Sequence, residues 1–294
     1  MATPFPSSVA TLTDALRERD YLVDRGLATA LHVSLALGRP LLLEGEVGVG
    51  KTELAKTLAA MFGRRLIRLQ CYEGIDTAQA LYEWDYPRQM LQIRVLSEQR
   101  LNDGSAVDQL YSEKFLIERP LLAAVRAGDQ CVLLIDEIDR ADDEFEAFLL
   151  ELLSDFQITI PEVGTVAAAT RPIVLLTSNR TRELHDALKR RCVYHWIGFP
   201  AAEREIDIIR RRLPDVTEAM ARKVVTAVNR LRDMELAKPP GIAEALDWVS
   251  ALQVVGADDL DQESADDTLG SVLKDRDDME LVREDLAQIV APSR

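Results

Sequence analysis

The fold is decided by residues 45–52, which read GEVGVGKT and fit the pattern G-x-x-x-x-G-K-[ST] at every fixed position. An apolar run at 41–43 precedes this stretch, and a helix-like segment at 53–59 follows it. The glycines let backbone N–H groups turn inward around a phosphate, and the positive end of the following helix points at the same anion. This strand–loop–helix context predicts a phosphate-binding loop, or P-loop, for a nucleoside triphosphate and a divalent metal ion.

The polar residues of the loop have distinct predicted roles. Lys51 supplies a mobile positive charge for the β- and γ-phosphates, and the Thr52 hydroxyl is a ligand for Mg²⁺. The predicted nucleotide-binding residues of this segment are Gly45, Glu46, Val47, Gly48, Val49, Gly50, Lys51, Thr52 and Glu53. The alternative interpretation is a glycine-rich turn with a solvated lysine, and it leaves the agreement of strand, loop and helix signals unexplained.

The composition is that of an ordinary globular protein, with 294 residues, 47% of them hydrophobic and 29% charged. The formal net charge is −15, which repels nucleic acid and anionic membranes, so neither is an expected partner. No apolar run is long enough to span a bilayer, and the N-terminus lacks the features of a signal peptide, so a cytoplasmic location is expected. Cys71, Cys131 and Cys192 are too far apart in sequence to suggest a disulfide framework or a zinc site.

Helices alternate with apolar strands up to about residue 200, and the pattern is all-helical after it. The alternation predicts an α/β fold with a doubly wound, mostly parallel sheet over 1–200, followed by a small all-α domain over 201–294. The predicted strands are 41–44, 66–69, 131–135, 173–177 and 193–197; an insertion of short elements is predicted at 71–115 and a β-hairpin at 156–169. Six Asp or Glu with few large apolar residues predict an acidic linker at 257–268, before a C-terminal helix at about 276–290.

A second motif follows the apolar run at 131–135. Asp136 ends that predicted strand, and a carboxylate there holds Mg²⁺, usually through water. Glu137 comes next and is placed to polarise a water molecule for attack on the γ-phosphate. Adjacent acids at a strand end favour a hydrolase over a small-molecule kinase, which needs no such base. The alternative is a solvated acidic strand end.

Two more polar positions extend this pattern. Asn179 follows the strand at 173–177, and its side chain would orient the attacking water, although an Asn after a strand is also a common turn residue. Arg190 and Arg191 follow a short helix predicted at 183–188. They are a solvated pair in a monomer, but in a ring one of them reaches a neighbour's γ-phosphate as an arginine finger. Between the two we favour Arg191.

These motifs, in this order and ahead of an all-α unit, resemble the AAA+ ATPases over roughly residues 15–255. The run LLIDEIDRA at 133–141 and the hairpin before Asn179 are similar to the MoxR branch of that family. The resemblance implies Walker A at 45–52, Walker B at Asp136 and Glu137, sensor 1 at Asn179 and an arginine finger near Arg191. It also implies ATP and Mg²⁺ as cofactors.

The same resemblance implies a homo-oligomeric ring, usually a hexamer, with nucleotide at the subunit interfaces. MoxR relatives commonly act as chaperones that remodel or metallate a protein client, often with a von Willebrand factor A domain partner. The runs CYEGID at 71–76 and WDY at 84–86 are similar to the accessory ATPases for maturation of aerobic carbon monoxide dehydrogenase.

The predicted lid departs from the family pattern at one position. The family's sensor 2 arginine lies in a G-x-S-x-R-like helix start, whereas 241–245 reads GIAEA, with Glu244 at the arginine position. Either the lid contacts nucleotide weakly or another basic residue, such as Arg204 or Lys238, substitutes. Such relatives bracket adenine with residues before the first helix, here Tyr21, Leu22 and Val23. Leu22 and Val23 fit an ordinary core equally well.

Three functional hypotheses follow. The first is an oligomeric ATPase that remodels a protein client through residues 71–115 and 156–169. The second is a nucleic-acid motor, against which the acidic balance argues. The third is a nucleotide-dependent assembly module with little turnover, which the absence of an arginine at position 244 keeps open.

Overall fold

The computed structural model describes residues 5–98, 110–161 and 163–291. They form two compact units, each assembled from separate pieces of sequence. The first unit takes the described parts of Met1–Leu12, Arg25–Glu44 and Ala55–His195, and the second takes the described parts of Thr13–Asp24, Gly45–Leu54 and Trp196–Arg294. The division at 195/196 lies close to the predicted boundary at 200, but residues 13–24 and 45–54, which include the P-loop, group with the C-terminal helices. Within this second unit, Gly48 O accepts a hydrogen bond from Ile242 N (3.1 Å), at the start of a C-terminal helix.

The strands give a central sheet and two small antiparallel pairs. In chain order they are β1 (Leu41–Gly45), β2 (Arg65–Gln70), β3 (Tyr82–Trp84), β4 (Leu116–Glu118), β5 (Cys131–Asp136), β6 (Gln157–Ile160), β7 (Gly164–Ala167), β8 (Ile173–Ser178) and β9 (Val193–Ile197). The central sheet has the order β2-β5-β8-β1-β9. The pairs β2–β5, β5–β8 and β8–β1 are parallel, so these four strands end at the same edge of the sheet.

Helices surround and follow the sheet. In chain order they are α1 (Val9–Arg17), α2 (Arg25–Leu37), α3 (Lys51–Phe62), α4 (Thr77–Ala80), α5 (Tyr86–Glu98), α6 (Pro120–Ala127), α7 (Asp143–Asp155), α8 (Asp186–Arg191), α9 (Ala202–Arg212), α10 (Glu218–Arg232), α11 (Ile242–Val254), α12 (Gln262–Val272) and α13 (Arg276–Ile289). The α/β class with a mostly parallel sheet and a following helical region, predicted from the sequence, is confirmed.

The core of the first unit explains the unbroken apolar runs of its strands. Every residue of β5 and β8 is buried, because a parallel sheet is covered on both faces. Leu133 and Leu176 of these strands belong to one cluster with Leu122 of α6 and Leu149 of α7. The ladder of parallel strands is thereby held in a single register, and the polar residues at the strand ends are fixed relative to one another.

The segment predicted as an insertion contains more regular structure than its mixed composition suggested. Residues 71–98 and 110–115 include α4, β3 and the 13-residue helix α5, and β3 pairs with β4. The part of this prediction at 99–109 lies outside the described residues. Further along, β6 and β7 pair antiparallel with Ile160 opposite Gly164.

The predicted acidic linker at 257–268 is wrong. Its second half belongs to α12, whose N-terminus is capped by Asp261, which accepts from Ser264 N at 2.9 Å. Ala265, Thr268, Leu269 and Val272 are buried at helical spacing. This face consists largely of small residues, so the sequence shows few large apolar groups, yet it packs against the helical core.

The predicted short helix at 183–188 is also shifted; the structure has α8 at Asp186–Arg191. The chain before it is held in an irregular path because the buried Asp139 carboxylate accepts from Asn179 N (3.2 Å) and Thr181 N (2.8 Å). Arg180 between them has a positive φ of 59°, which interrupts regular structure. Arg190 and Arg191 therefore lie in the last turn of the helix and not after it. Among the described residues, no helix is both long and apolar enough to span a bilayer.

Candidate nucleotide-binding site

The P-loop connects β1 to α3 and belongs to the second unit. Gly48 and Gly50 have φ angles of +77° and +92°, which side-chain-bearing residues rarely adopt. Within the described residues, the N–H groups of Gly48, Val49 and Gly50 donate to no acceptor. Unpaired backbone donors gathered at the start of a helix are the donor set that a phosphate requires. The loop therefore fits the triphosphate that its sequence implies.

Lys51 is the first residue of α3 and is buried. Its ammonium group donates to Gly45 O and Glu46 O, at 2.7 Å each, so the charge lies over the inner side of the loop. Both acceptors are neutral carbonyls, so a phosphate oxygen would be a stronger partner for the same donor. Thr52 follows in the first turn of α3, where its hydroxyl is of the oxygen type that Mg²⁺ prefers.

Tyr21 contacts the P-loop directly. Its hydroxyl donates to Gly50 O at 3.2 Å, and its ring lies 4.0 Å from the position of a Cβ added to Gly50. Burial, and then the nearby Glu53 carboxylate, raise the pKa of Tyr21, so the phenol stays protonated and remains a donor. Leu22 and Val23 line a cavity of about 420 Å³ with residues of α1 and α9.

The start of α11 packs on the P-loop. A Cβ added to Gly241 would lie 2.6 Å from Val47 O and 2.8 Å from Gly48 Cα, so only glycine permits this approach. Glu244, at the expected arginine position, accepts from Gly241 N at 2.9 Å and so caps the first turn of α11. The carboxylate at this position therefore has a structural role that the family pattern did not indicate.

Gly45, the last residue of β1 and the first of the P-loop, is equally confined. A Cβ at this position would lie 2.0 Å from Ile197 O of β9, which is backbone and cannot turn away. We expect Gly45→Ala to destabilise the protein by about 1–3 kcal/mol through this overlap. Urea unfolding followed by circular dichroism measures the change. Gly270→Ala is the matched control: among the described residues outside its own turn of α12, no atom lies within 4 Å of a Cβ added there, and the substitution should stabilise α12 by about 0.5–1 kcal/mol. Equal stability of the two variants would contradict the steric argument.

Asp136 ends β5 in the first unit, and its carboxylate is held on both sides. Oδ1 accepts from Thr177 Oγ1 of β8, and Oδ2 accepts from Arg68 Nε of β2 at 2.9 Å. A second Arg68 nitrogen lies 2.6 Å from the same oxygen. The side chain is buried, so this pairing fixes a carboxylate at the end of β5. Its oxygens suit a hard cation such as Mg²⁺.

Glu137 follows with a left-handed backbone conformation, at a φ of 54° and a ψ of 50°. Its N–H donates to Thr177 Oγ1 at 2.9 Å, and its carboxylate pairs with Arg140 at 3.2 Å. The side chain is 31% exposed, so water reaches it. Positive φ at a residue that is not glycine is uncommon, and such strain is frequent at active sites.

Asn179 follows β8 at the same edge of the sheet at which Asp136 ends β5. Its N–H donates to the Asp139 carboxylate at 3.2 Å. Its side-chain amide makes no hydrogen bond within the described part of the chain, and so it is available to a ligand or a water molecule.

The predicted arginine pair differs in its contacts. Arg191 donates to Ser154 Oγ of α7 at 2.7 Å and to Ala187 O at 3.2 Å. The Arg190 side chain is exposed and makes no hydrogen bond or ion pair within residues 5–98, 110–161 and 163–291. The two arginines, for which the sequence offered the same role, thus differ in their contacts.

Sequence reasoning missed the residues that support this site. Arg68 lies in the strand RLIRLQ, where an arginine at an alternating position indicates only an exposed side chain. Thr177 was treated as the end of an apolar strand, although it bonds both Asp136 and Glu137. Asp139 lies in an acidic run, and nothing in that run indicates that its carboxylate accepts a hydrogen bond from a backbone N–H 40 positions away. Only knowledge of strand order connects these residues.

A P-loop after β1, an acidic pair after β5 and a polar residue after β8 define the class of P-loop nucleotide-hydrolysing proteins. The comparison with protein families is specific: residues 40–192 match the AAA domain, dynein-related subfamily, and the chain belongs to this family. The assignment as a MoxR-type AAA+ ATPase, made from the motifs, is confirmed.

Characterised and uncharacterised relatives share the same region. The chain is 26% identical over 198 residues to protein NorQ of Paracoccus denitrificans, covering 65% of this chain and 64% of NorQ. It is 27% identical over 202 residues to the uncharacterised protein YehL of Escherichia coli, covering 65% of this chain and 50% of YehL. It is 30% identical over 173 residues to chaperone protein ClpB of Leptolyngbya boryana, covering 58% of this chain and 16% of ClpB. The chain thus spans less than two thirds of the length of NorQ.

The fold has a counterpart among solved structures. A RuvB variant of Thermotoga maritima superposes with a TM-score of 0.52 at 20% sequence identity, covering 97% of this chain and 79% of that chain. At this identity the likeness concerns the fold alone.

Proposed function

We propose that this protein is an ATP-hydrolysing chaperone that remodels or helps to mature a protein client. The family supports the ATPase part, and the similarity to ClpB, a protein named as a chaperone, supports the chaperone part. We further propose that it works in the cytoplasm. All three cysteines are buried and unpaired, which suits a reducing compartment.

One observation carries the client proposal. A groove of about 830 Å³ in the first unit is lined by residues of the two segments that the sequence indicated for client contact. The lining includes Tyr82, Trp84 and Tyr86 from the first segment and Pro161 from the hairpin, with Phe148 between them. Beside it, α5 exposes Met90, which is 59% accessible, and Leu91, which is 63% accessible. An apolar surface of this kind is typical of a site that binds polypeptide.

The resemblance of residues 71–76 and 84–86 to the carbon monoxide dehydrogenase accessory ATPases supports a metalloenzyme as the client. Within these two runs, Tyr72 and Tyr86 are exposed and accessible to a partner. Cys71 and Trp84 are buried instead. Burial, and then the nearby Asp136, raise the pKa of the Cys71 thiol to about 12. Since the Cys71 side chain is buried and inaccessible to a partner, the metal in this proposal belongs to the client.

The residues of the chain divide the hydrolytic work. Lys51 and the N–H groups of Gly48, Val49 and Gly50 would bind the phosphates, and Glu137 would accept the proton of the attacking water. Asn179 would orient that water. Thr52 and Asp136 would hold Mg²⁺, which when bound neutralises the charge on the β- and γ-phosphates. Glu137 would first have to leave Arg140, an exposed partner that competes weakly.

We propose a homo-oligomeric ring, of the hexameric kind common in the family, in which an arginine of α8 acts on the neighbour's nucleotide. The double variant Arg190→Ala with Arg191→Ala should lower ATP turnover in the assembled protein on the order of 10³-fold, since an arginine finger stabilises charge in the transition state. Mixing this variant with Lys51→Ala subunits should restore turnover. A site that takes its P-loop from the arginine variant and its α8 from a neighbouring Lys51→Ala subunit has both parts intact.

The control is each variant alone at the same total concentration, with co-assembly checked by light scattering. Mixed rings that assemble and yet stay inactive would exclude action between subunits.

The client proposal is tested by co-expression with the apo form of an aerobic carbon monoxide dehydrogenase. Metal content of the purified dehydrogenase should rise with the wild-type protein and not with Glu137→Gln. Equal metal content with both would overturn the maturation role. Addition of a von Willebrand factor A domain protein shows whether an adaptor is needed. Stimulation of the ATPase by DNA or RNA, and not by the dehydrogenase, would support the nucleic-acid motor instead.

A further inference from the structure

Arg39 lies between α2 and β1 and contacts the end of α8. Its Nη2 donates to Arg190 O at 2.5 Å and to Cys192 O at 3.5 Å, and its Nε donates to Arg191 O at 3.2 Å. The last carbonyls of a helix have no partner inside the helix, and they carry its negative end. A guanidinium with a planar set of donors satisfies several of them at once.

The backbone around Arg39 is itself fixed. Arg39 N donates to Ser34 O at 3.1 Å, and Ser34 Oγ donates to Arg39 O at 2.7 Å. The next residue, Pro40, accepts from Val193 N at 2.8 Å, at the start of β9. The Arg39 side chain therefore binds the last carbonyl groups of α8, and the Pro40 backbone binds the chain just after that helix.

Arg191 gives α8 a second attachment. Ser154 Oγ, which accepts from Arg191 Nε, donates in turn to Leu150 O at 2.7 Å, so the contact continues into α7. The guanidinium of Arg191 is thus used within its own subunit. The Arg190 side chain makes no such contact with any residue that the structure describes, and it extends from a turn that Arg39 and Arg191 hold in place.

We infer that the two arginines have different tasks: Arg190 is the residue presented to the neighbouring subunit's nucleotide, while Arg39 and Arg191 are positioning residues that hold its helix. This inference rests on the proposed ring mechanism and assigns roles within it. It reverses the preference for Arg191 that the sequence suggested. A catalytic group must be held closely, since a displacement of about 1 Å can cost on the order of 10²-fold in rate.

The test compares ATP turnover of the assembled protein in Arg190→Ala, Arg191→Ala, Ser154→Ala and Arg39→Gln, together with their double variants. Arg190→Ala should lower kcat on the order of 10³-fold and leave the hydrogen exchange of α8 amides unchanged. Arg39→Gln should lower kcat by about 10- to 10²-fold, leave KM for ATP unchanged and speed exchange in α8. Arg39→Gln combined with Arg190→Ala should be no slower than Arg190→Ala alone, because Arg39 acts only through Arg190. Ser154→Ala should lower kcat in the same direction as Arg191→Ala.

Arg25→Gln, an exposed arginine at the other end of α2, is the matched control and should behave as wild type. The inference is overturned if Arg191→Ala is more damaging than Arg190→Ala, if Arg39→Gln keeps full kcat, or if the effects of Arg39→Gln and Arg190→Ala multiply. If neither Arg190→Ala nor Arg191→Ala alters kcat in assembled protein, the proposed ring mechanism is wrong, and the inference that rests on it is wrong as well. Should Arg39→Gln not fold, Arg39→Lys carries the same test, since it keeps the charge but reaches fewer carbonyls.

Discussion

Replacement of Glu137 by glutamine should lower ATP turnover on the order of 10²- to 10⁴-fold while ATP still binds. The amide keeps the size of the side chain but cannot accept the proton of the attacking water. The left-handed backbone at this residue and the bond from its N–H to Thr177 do not depend on the carboxylate, so the local structure should persist. Phosphate release measures turnover, and isothermal calorimetry measures ATP affinity.

Glu151→Gln supplies the control, because Glu151 is an exposed glutamate of α7 whose side chain makes no hydrogen bond or ion pair within the described residues. It should match wild type in both assays. Undiminished hydrolysis by Glu137→Gln would remove Glu137 as the base. Loss of ATP affinity would show that the carboxylate has a binding role instead.

Replacement of Arg232 by methionine should destabilise the second unit by about 3–5 kcal/mol. Arg232 of α10 is 6% exposed and pairs with Glu205 of α9, which is fully buried, at 2.7 and 2.8 Å. It also donates to Pro240 O and lies 4.2 Å from the centre of the Phe199 ring. Removing the guanidinium leaves a buried carboxylate without its charge partner, which is the costly half of such a pair.

Chemical unfolding of the full chain measures this change, with Arg222→Met as the control. Arg222 pairs with Glu203 and Glu218 on the surface, where solvent screens the charges, so its loss should change the stability far less than the loss of Arg232. Arg232→Met with Glu205→Met should be more stable than Arg232→Met alone, since no unpaired charge remains. Similar losses in Arg222→Met and Arg232→Met would contradict a special role for the buried pair.

The sequence predicted the strands of the parallel sheet well, because their patterns are continuous and apolar. The predictions at 131–135 and 193–197 differ from the observed strands by at most one residue. The helix α1 was not predicted, although Leu12 and Leu16 are fully buried, because so short a segment gives a weak periodic signal. The error at α12 has the opposite cause, since acidic residues on its outer face hid a face of small buried residues.

In the candidate site, too, features encoded by a local sequence pattern could be predicted, and features that depend on tertiary contacts could not. The P-loop could be predicted in full because its chemistry is local in sequence. The contacts of Asp136 with Arg68 and Thr177 could not, because they depend on which strands lie next to each other. The different tasks that we propose for Arg190 and Arg191 depend on where α8 begins and on Arg39, which is about 150 residues away in sequence.

The packing of the P-loop against the start of α11 limits how the gene can be divided. A fragment that ends at residue 195 would encode the whole phosphate-binding sequence but not Gly241 and Ile242, against which that loop lies. A fragment that begins at residue 196 would keep helices α9 to α13 but lose the P-loop and Tyr21, which donates to Gly50 O of that loop. Neither piece is a portable nucleotide-binding module, and a chimaera with a related ATPase would have to exchange residues 13–24 and 45–54 together with the C-terminal helices.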